Sequence, residues 1–72
     1  MKRSRFQALF NDCPGAVLGS GPEMSNPGRI IVESEDSVRA IEYMRTKTKM
    51  LRIEPHTRWC EGIVIVFDWK EN

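Results

Sequence analysis

The residues best equipped for chemistry lie in one short stretch, Pro55-His56-Thr57-Arg58-Trp59-Cys60-Glu61. His56 and Cys60 are separated by three residues, a spacing that can form one edge of a zinc site. A closed structural site takes four ligands, so Cys13 and either Asp12 or Glu61 would have to complete it. No Cys-x-x-Cys pair occurs in the chain. The simpler reading is a loop between two strands, with His56 facing water and Cys60 a small apolar residue at a strand start. No metal and no other cofactor is expected. A Cys–His dyad would be the enzymatic use of the same pair. It would need the imidazole beside the sulfur to hold a thiolate, and N–H donors for an oxyanion.

Two further patterns resemble chemistry and fall short of it. Gly15, Gly19 and Gly21 invite a phosphate-loop reading, but no Lys follows Gly21, position 24 is Met and Pro22 interrupts the run. A flexible connection explains these glycines. Glu33, Glu35 and Asp36 cluster where a strand gives way to a helix, and acids at a helix start answer the helix dipole without any catalytic role. General acid–base catalysis has no paired group to rest on. No catalytic residue is assigned, and the chain is read as a non-enzyme.

Charge order is more informative than charge total. The chain carries a net charge of only +1. Residues 33–42 hold Glu33, Glu35, Asp36 and Glu42 against Arg39, whereas residues 45–58 hold Arg45, Lys47, Lys49, Arg52 and Arg58 against Glu54. Arg45, Lys47, Lys49, Arg52, Arg58 and Trp59 are therefore the candidate binding residues. Basic side chains beside an aromatic suit single-stranded nucleic acid, through phosphate neutralisation and base stacking. They equally suit a protein interface, where Arg and Trp are favoured anchors. A solvated helix end is the plain alternative for the lysines, and a lid over the core the plain alternative for Trp59.

The scaffold that must hold these residues is small. Seventy-two residues leave no room for a second domain of ordinary size, and 40% hydrophobic content with near-zero net charge argues against disorder. No apolar run approaches the roughly 18 residues of a membrane span. Surface scaling gives a folded area of about 4,600 Å² against about 12,000 Å² unfolded, which supports one modest core. A deep catalytic cleft would consume most of it, and self-association as a homodimer would add burial. Two cysteines make no disulfide framework, and no apolar run follows Lys2, Arg3 and Arg5, so an intracellular protein with reduced thiols is expected.

Residues 1–3 read as a tail. Phe6, Leu9 and Phe10 fall at helical spacing over residues 4–12, with Ser4 as cap and Cys13-Pro14-Gly15 as stop. Ala16-Val17-Leu18 has the makings of a short strand or core plug, and residues 19–28 read as a flexible Gly/Pro loop. Residues 29–69 read as a βαββ core. Arg29–Glu33 is β-rich, and a long helix follows over residues 35–47, capped by Ser34, with Val38, Ile41 and Met44 as its apolar stripe. Residues 50–54 alternate as a strand with one wet face, ended by Pro55. Residues 62–69 are apolar on both faces from Ile63 to Phe67, which predicts a central strand covered on both sides. The expected fold is α+β. Its three-stranded sheet runs in the order first, third, second, with the last strand central. The long helix covers one face, and the N-terminal helix or the 15–28 segment covers the other. The function expected is stoichiometric binding of a protein partner, as an accessory, adaptor or inhibitor of the kind phages and mobile elements use. An RNA- or single-stranded-DNA-binding protein is the alternative, and no membrane partner is expected.

Overall fold

The computed structural model describes residues 2–56 and 61–70. Helix α1 (Lys2–Asp12) is followed by strands β1 (Ala16–Ser20) and β2 (Gly28–Glu33) and a 3-10 turn (Ser34–Asp36). Helix α2 (Ser37–Lys47) and strands β3 (Thr48–His56) and β4 (Gly62–Trp69) complete the chain. All strand pairs are antiparallel, in the order β1-β2-β4-β3. The α+β class agrees with the sequence reading, and so does the insertion of the last strand between the two strands that flank α2.

The strand count does not agree. Residues 16–20 form a fourth strand on the outer side of β2, with Gly19 opposite Ile30 and Ser20 opposite Arg29. Gly19 reads as a loop signal in sequence, yet here it permits a close approach: a Cβ at this position would lie 2.6 Å from the Arg29 carbonyl oxygen. β3 is likewise longer than expected. It runs through Pro55, which pairs with Ile63. As an edge strand it has an outer side on which a missing N–H costs no ladder bond.

The helices differ from expectation too. The two are equal, at 11 residues each, rather than one long and one short. Ser34 does not cap α2, which starts at Ser37 with Asp36 at the N-cap position; Ser34 opens the 3-10 turn, and its backbone N–H donates to the Glu61 carbonyl at 3.0 Å, tying the turn to the start of β4. Between the end of α1 at Asp12 and the start of β1 at Ala16, Gly15 takes φ 71°, a left-handed conformation that suits glycine. α2 passes into β3 with no linker. The Thr48 N–H closes the last turn on the Met44 carbonyl, and its buried hydroxyl donates to the same oxygen at 2.8 Å.

Both helices pack on one face of the sheet. Phe6, Leu9 and Cys13 of α1 and Ala40 and Met44 of α2 share one core with Ile30 and Val32 of β2 and Ile65 and Phe67 of β4. The Phe6 and Phe67 rings stack at 6.4 Å, and Phe67 meets the edge of Trp69 at 5.8 Å. The Tyr43 hydroxyl donates to the Leu9 carbonyl at 2.8 Å and joins the helices. Trp69 closes this layer: the Arg5 guanidinium lies 4.2 Å above its ring, and its Nε1 donates to Glu23 at 2.6 Å. The expected second cover is therefore missing. α1 docks its aromatic edge beside α2, and among the described residues no element covers the opposite face. No described helix is long and apolar enough to cross a membrane.

Candidate functional site

Strand alternation fixes what the uncovered face presents. Ile30, Val32, Ile65 and Phe67 point to the helices, so their neighbours point away. The registers arrange these neighbours in rows across the sheet. One row is Ser20, Arg29, Val66 and Arg52; the next is Leu18, Ile31, Val64 and Glu54. Lys49 opposite Asp68 lies beyond the first row, and Glu33, Gly62 and His56 lie beyond the second. Bulges at Val17 in β1 and Leu51 in β3 keep the parity consistent along both edge strands.

The two valines of β4 are sheltered even without a covering layer. Val66 is 0% exposed and has Arg29 and Arg52 as its cross-strand neighbours, long side chains whose aliphatic stems can shelter an apolar neighbour. Val64, at 9%, stands between Ile31 and Glu54. Leu18 is left 47% exposed. The second row floors a shallow groove of about 450 Å³, lined by Leu18, Arg29, Ile31, Glu54, His56 and Val64 among others.

Electrostatics within the face are mixed. Arg52 Nε donates to Glu54 Oε2 at 2.7 Å. That hydrogen bond holds the Glu54 carboxyl below the usual glutamate range against the opposing effect of desolvation, with lesser help from the charges of Arg52 and Arg29. Arg29 has no ion-pair partner among the described residues. Three cations (Arg29, Lys49, Arg52) face three acids (Glu33, Glu54, Asp68) on this surface.

The six sequence-predicted residues do not form one patch. Arg45 and Lys47 lie in the last turn of α2, in the helix layer, where Lys47 borders a hollow with Arg5, Asp12, Tyr43 and Trp69. Lys49 and Arg52 project from β3 onto the uncovered face. Arg58 and Trp59 lie outside the described residues, as does Cys60, so neither the Cys–His dyad nor a Cys13–Cys60 bridge is assessed. Cys13 sits in the core under the helices, whereas His56 borders the groove on the other side of the sheet. One zinc set weighed from sequence is thus divided by the sheet. Burial pushes the Cys13 thiol up to about 11. Burial, with Asp12 and Cys13 nearby, also raises the Tyr43 hydroxyl.

The carboxylates of Glu33, Glu35 and Asp36 approach within 4.8 Å of one another. Asp36 is engaged by Arg39; Glu33 ends β2, and Glu35 and Asp36 belong to the 3-10 turn that follows it. Sequence reasoning missed Leu18, Arg29 and Ile31 as residues of an open sheet face, around the sheltered Val64. A signal lies in the double-sided apolar pattern of residues 62–69, which predicts a strand covered on both faces, whereas the structure covers one of them. No family model, curated protein or solved structure matches the chain.

Proposed function

We propose that the chain is a non-enzymatic protein that binds a protein partner stoichiometrically, as an accessory, adaptor or inhibitor, through the helix-free face of its sheet. The observation that carries this reading is the aliphatic row Leu18, Ile31 and Val64, left without a cover among the described residues and bordered by Arg29, Arg52 and Glu54. An apolar centre with a polar, arginine-bearing rim is the usual anatomy of a protein interface. Nucleic acid fits this face less well. Stacking on bases requires aromatics, and the described aromatic residues lie in the helix layer. Phosphate neutralisation requires an excess of cations, and here the charges balance.

Affinity capture tests the reading. The wild-type chain is expected to retain a discrete protein in one-to-one ratio, and the Leu18→Glu/Ile31→Glu variant to lose it while keeping its circular dichroism spectrum. Equal capture by both chains removes the face from the interface. Fluorescent oligonucleotides titrated at low salt are expected to show no binding. Micromolar binding that weakens steeply with added salt transfers the function to nucleic acid.

A further inference from the structure

We propose that two copies of this chain join through the free edge of β1, antiparallel and about a two-fold axis, to make one eight-stranded sheet. The proposal concerns an edge of the sheet and stands apart from the reading of its helix-free face.

The backbone states the demand. β1 and β3 are the outer strands, and each has a neighbouring strand on one side only among the described residues. In an outer strand, alternate residues aim their N–H and C=O groups away from the sheet. The Ala16 N–H turns back to the Cys13 carbonyl at 3.4 Å, and no other backbone bond among the described residues joins β1 to anything but β2. Only an extended segment pairs such a row of groups. The β1 strand of a second copy both needs that pairing and supplies it.

The two outer strands differ in how they are guarded. β3 sets Lys49, Arg52 and Glu54 along its length and Pro55, which has no N–H, near its end. Edge charges and edge prolines are the usual means by which a strand is kept from pairing with another chain. β1 has neither. Residues 13–22 carry no charged side chain, in a chain of which 29% is charged, and no proline interrupts Ala16–Ser20. Both strands carry a bulge, so bulges do not distinguish them. Val17 and Leu18 are 45% and 47% exposed, and pairing brings these aliphatic side chains of the two copies to one seam without opposing like charges. One open edge beside one guarded edge also limits the assembly. β1 against β1 closes after two copies, whereas β1 against β3 would repeat head to tail into a filament. Antiparallel pairing about the two-fold axis keeps the helices of both copies on one side, so the two helix-free faces become continuous on the other.

Sedimentation equilibrium of the full chain, from about 10 μM to about 1 mM, reads the association. The paired strands are short and the contact small, so a weak, reversible dimer is expected, with no larger species. Val17→Lys places a charge at the open edge and should weaken dimerisation by about tenfold or more. Leu51→Lys, at the guarded edge of β3, should leave it unchanged. Hydrogen exchange needs no variant and keeps the test valid if Val17→Lys fails to fold. Amide protection within residues 17–20 should rise with chain concentration, while that of β3 stays constant. A chain still monomeric at about 1 mM overturns the proposal, and capture of a protein partner by that monomer leaves the proposed function standing. A dimer that ignores Val17→Lys and leaves residues 17–20 unprotected overturns it as well. A dimer that Ile31→Glu dissolves, with β1 amides unprotected, moves the seam to the helix-free face and overturns the edge. Larger species that grow with concentration and lose length in the Leu51→Lys variant overturn the closed dimer in favour of head-to-tail pairing.

Discussion

The two faces of the sheet are built from the same strands, yet one is apolar under two helices and the other mixes aliphatic and charged side chains with no cover among the described residues. On the helix side, Ile30, Val32, Ile65 and Phe67 are fully buried among Phe6, Leu9, Ala40 and Met44. On the other side Val66 is equally inaccessible, but its cross-strand neighbours are two arginines, and Leu18 is left 47% exposed. Burial alone therefore does not separate structural from functional residues. What separates them is whether the neighbours are fixed core atoms or mobile charged chains. On the proposed reading, stability belongs to the first face and recognition to the second.

Substitutions that treat the faces as equivalent would break this contrast. The largest effect is expected at Phe67, which stacks on Phe6 and meets Trp69. Phe67→Ala should cost about 3–5 kcal/mol, enough to unfold much of a domain this small, as read from urea denaturation. The adjacent pair Ile65 and Val66, both 0% exposed, gives the sharpest comparison. Ile65→Ala should cost about 2–5 kcal/mol and Val66→Ala only about 1–2 kcal/mol, since flexible arginine stems close over a smaller gap. Equal losses after allowing for side-chain size would show the open face to be as structural as the core. Tyr43→Phe removes the hydrogen bond between the helices and should cost about 1 kcal/mol without touching binding. Leu18→Glu should change stability by no more than about 0.5 kcal/mol and still weaken binding.

Acid titration probes the rim of the same face. The folded-state pKa of Glu54 is depressed, so the fold prefers its ionised form. The stabilisation from its contact with Arg52 is present above the unfolded-state pKa of glutamate and fades as pH falls through the lower folded value. Carbon-detected NMR should find Glu54 titrating below the usual glutamate range. Arg52→Ala should bring it back toward that range, and no change in that variant would break the link.

The sequence made the fold class and the central strand legible because their signals are local. The Ile63–Phe67 run and the helical stripe ending at Met44 mark one strand and one helix each. The side on which α1 docks was not legible, because Phe6, Leu9 and Phe10 announce an apolar edge without naming the surface that receives it. β1 was half legible: Ala16-Val17-Leu18 has β character, but Gly19 reads as a loop until its close approach to Arg29 is seen. The candidate site was least legible. Clustering charges along the chain joined Arg45 and Lys47 to Lys49 and Arg52, whereas the passage from α2 into β3 places the first pair in the helix layer and the second on the opposite side of the sheet. Arg29, 23 positions before Arg52 in sequence, joins it only through β4.

The central claim is that recognition belongs to the helix-free face. Amide chemical-shift mapping of the labelled chain against the partner it captures tests this most directly. Shifts are expected to concentrate at Leu18, Arg29, Ile31, Arg52, Glu54 and Val64, with α1 and α2 left quiet. Shifts centred on Arg45, Lys47 and the exposed sides of the helices would contradict it.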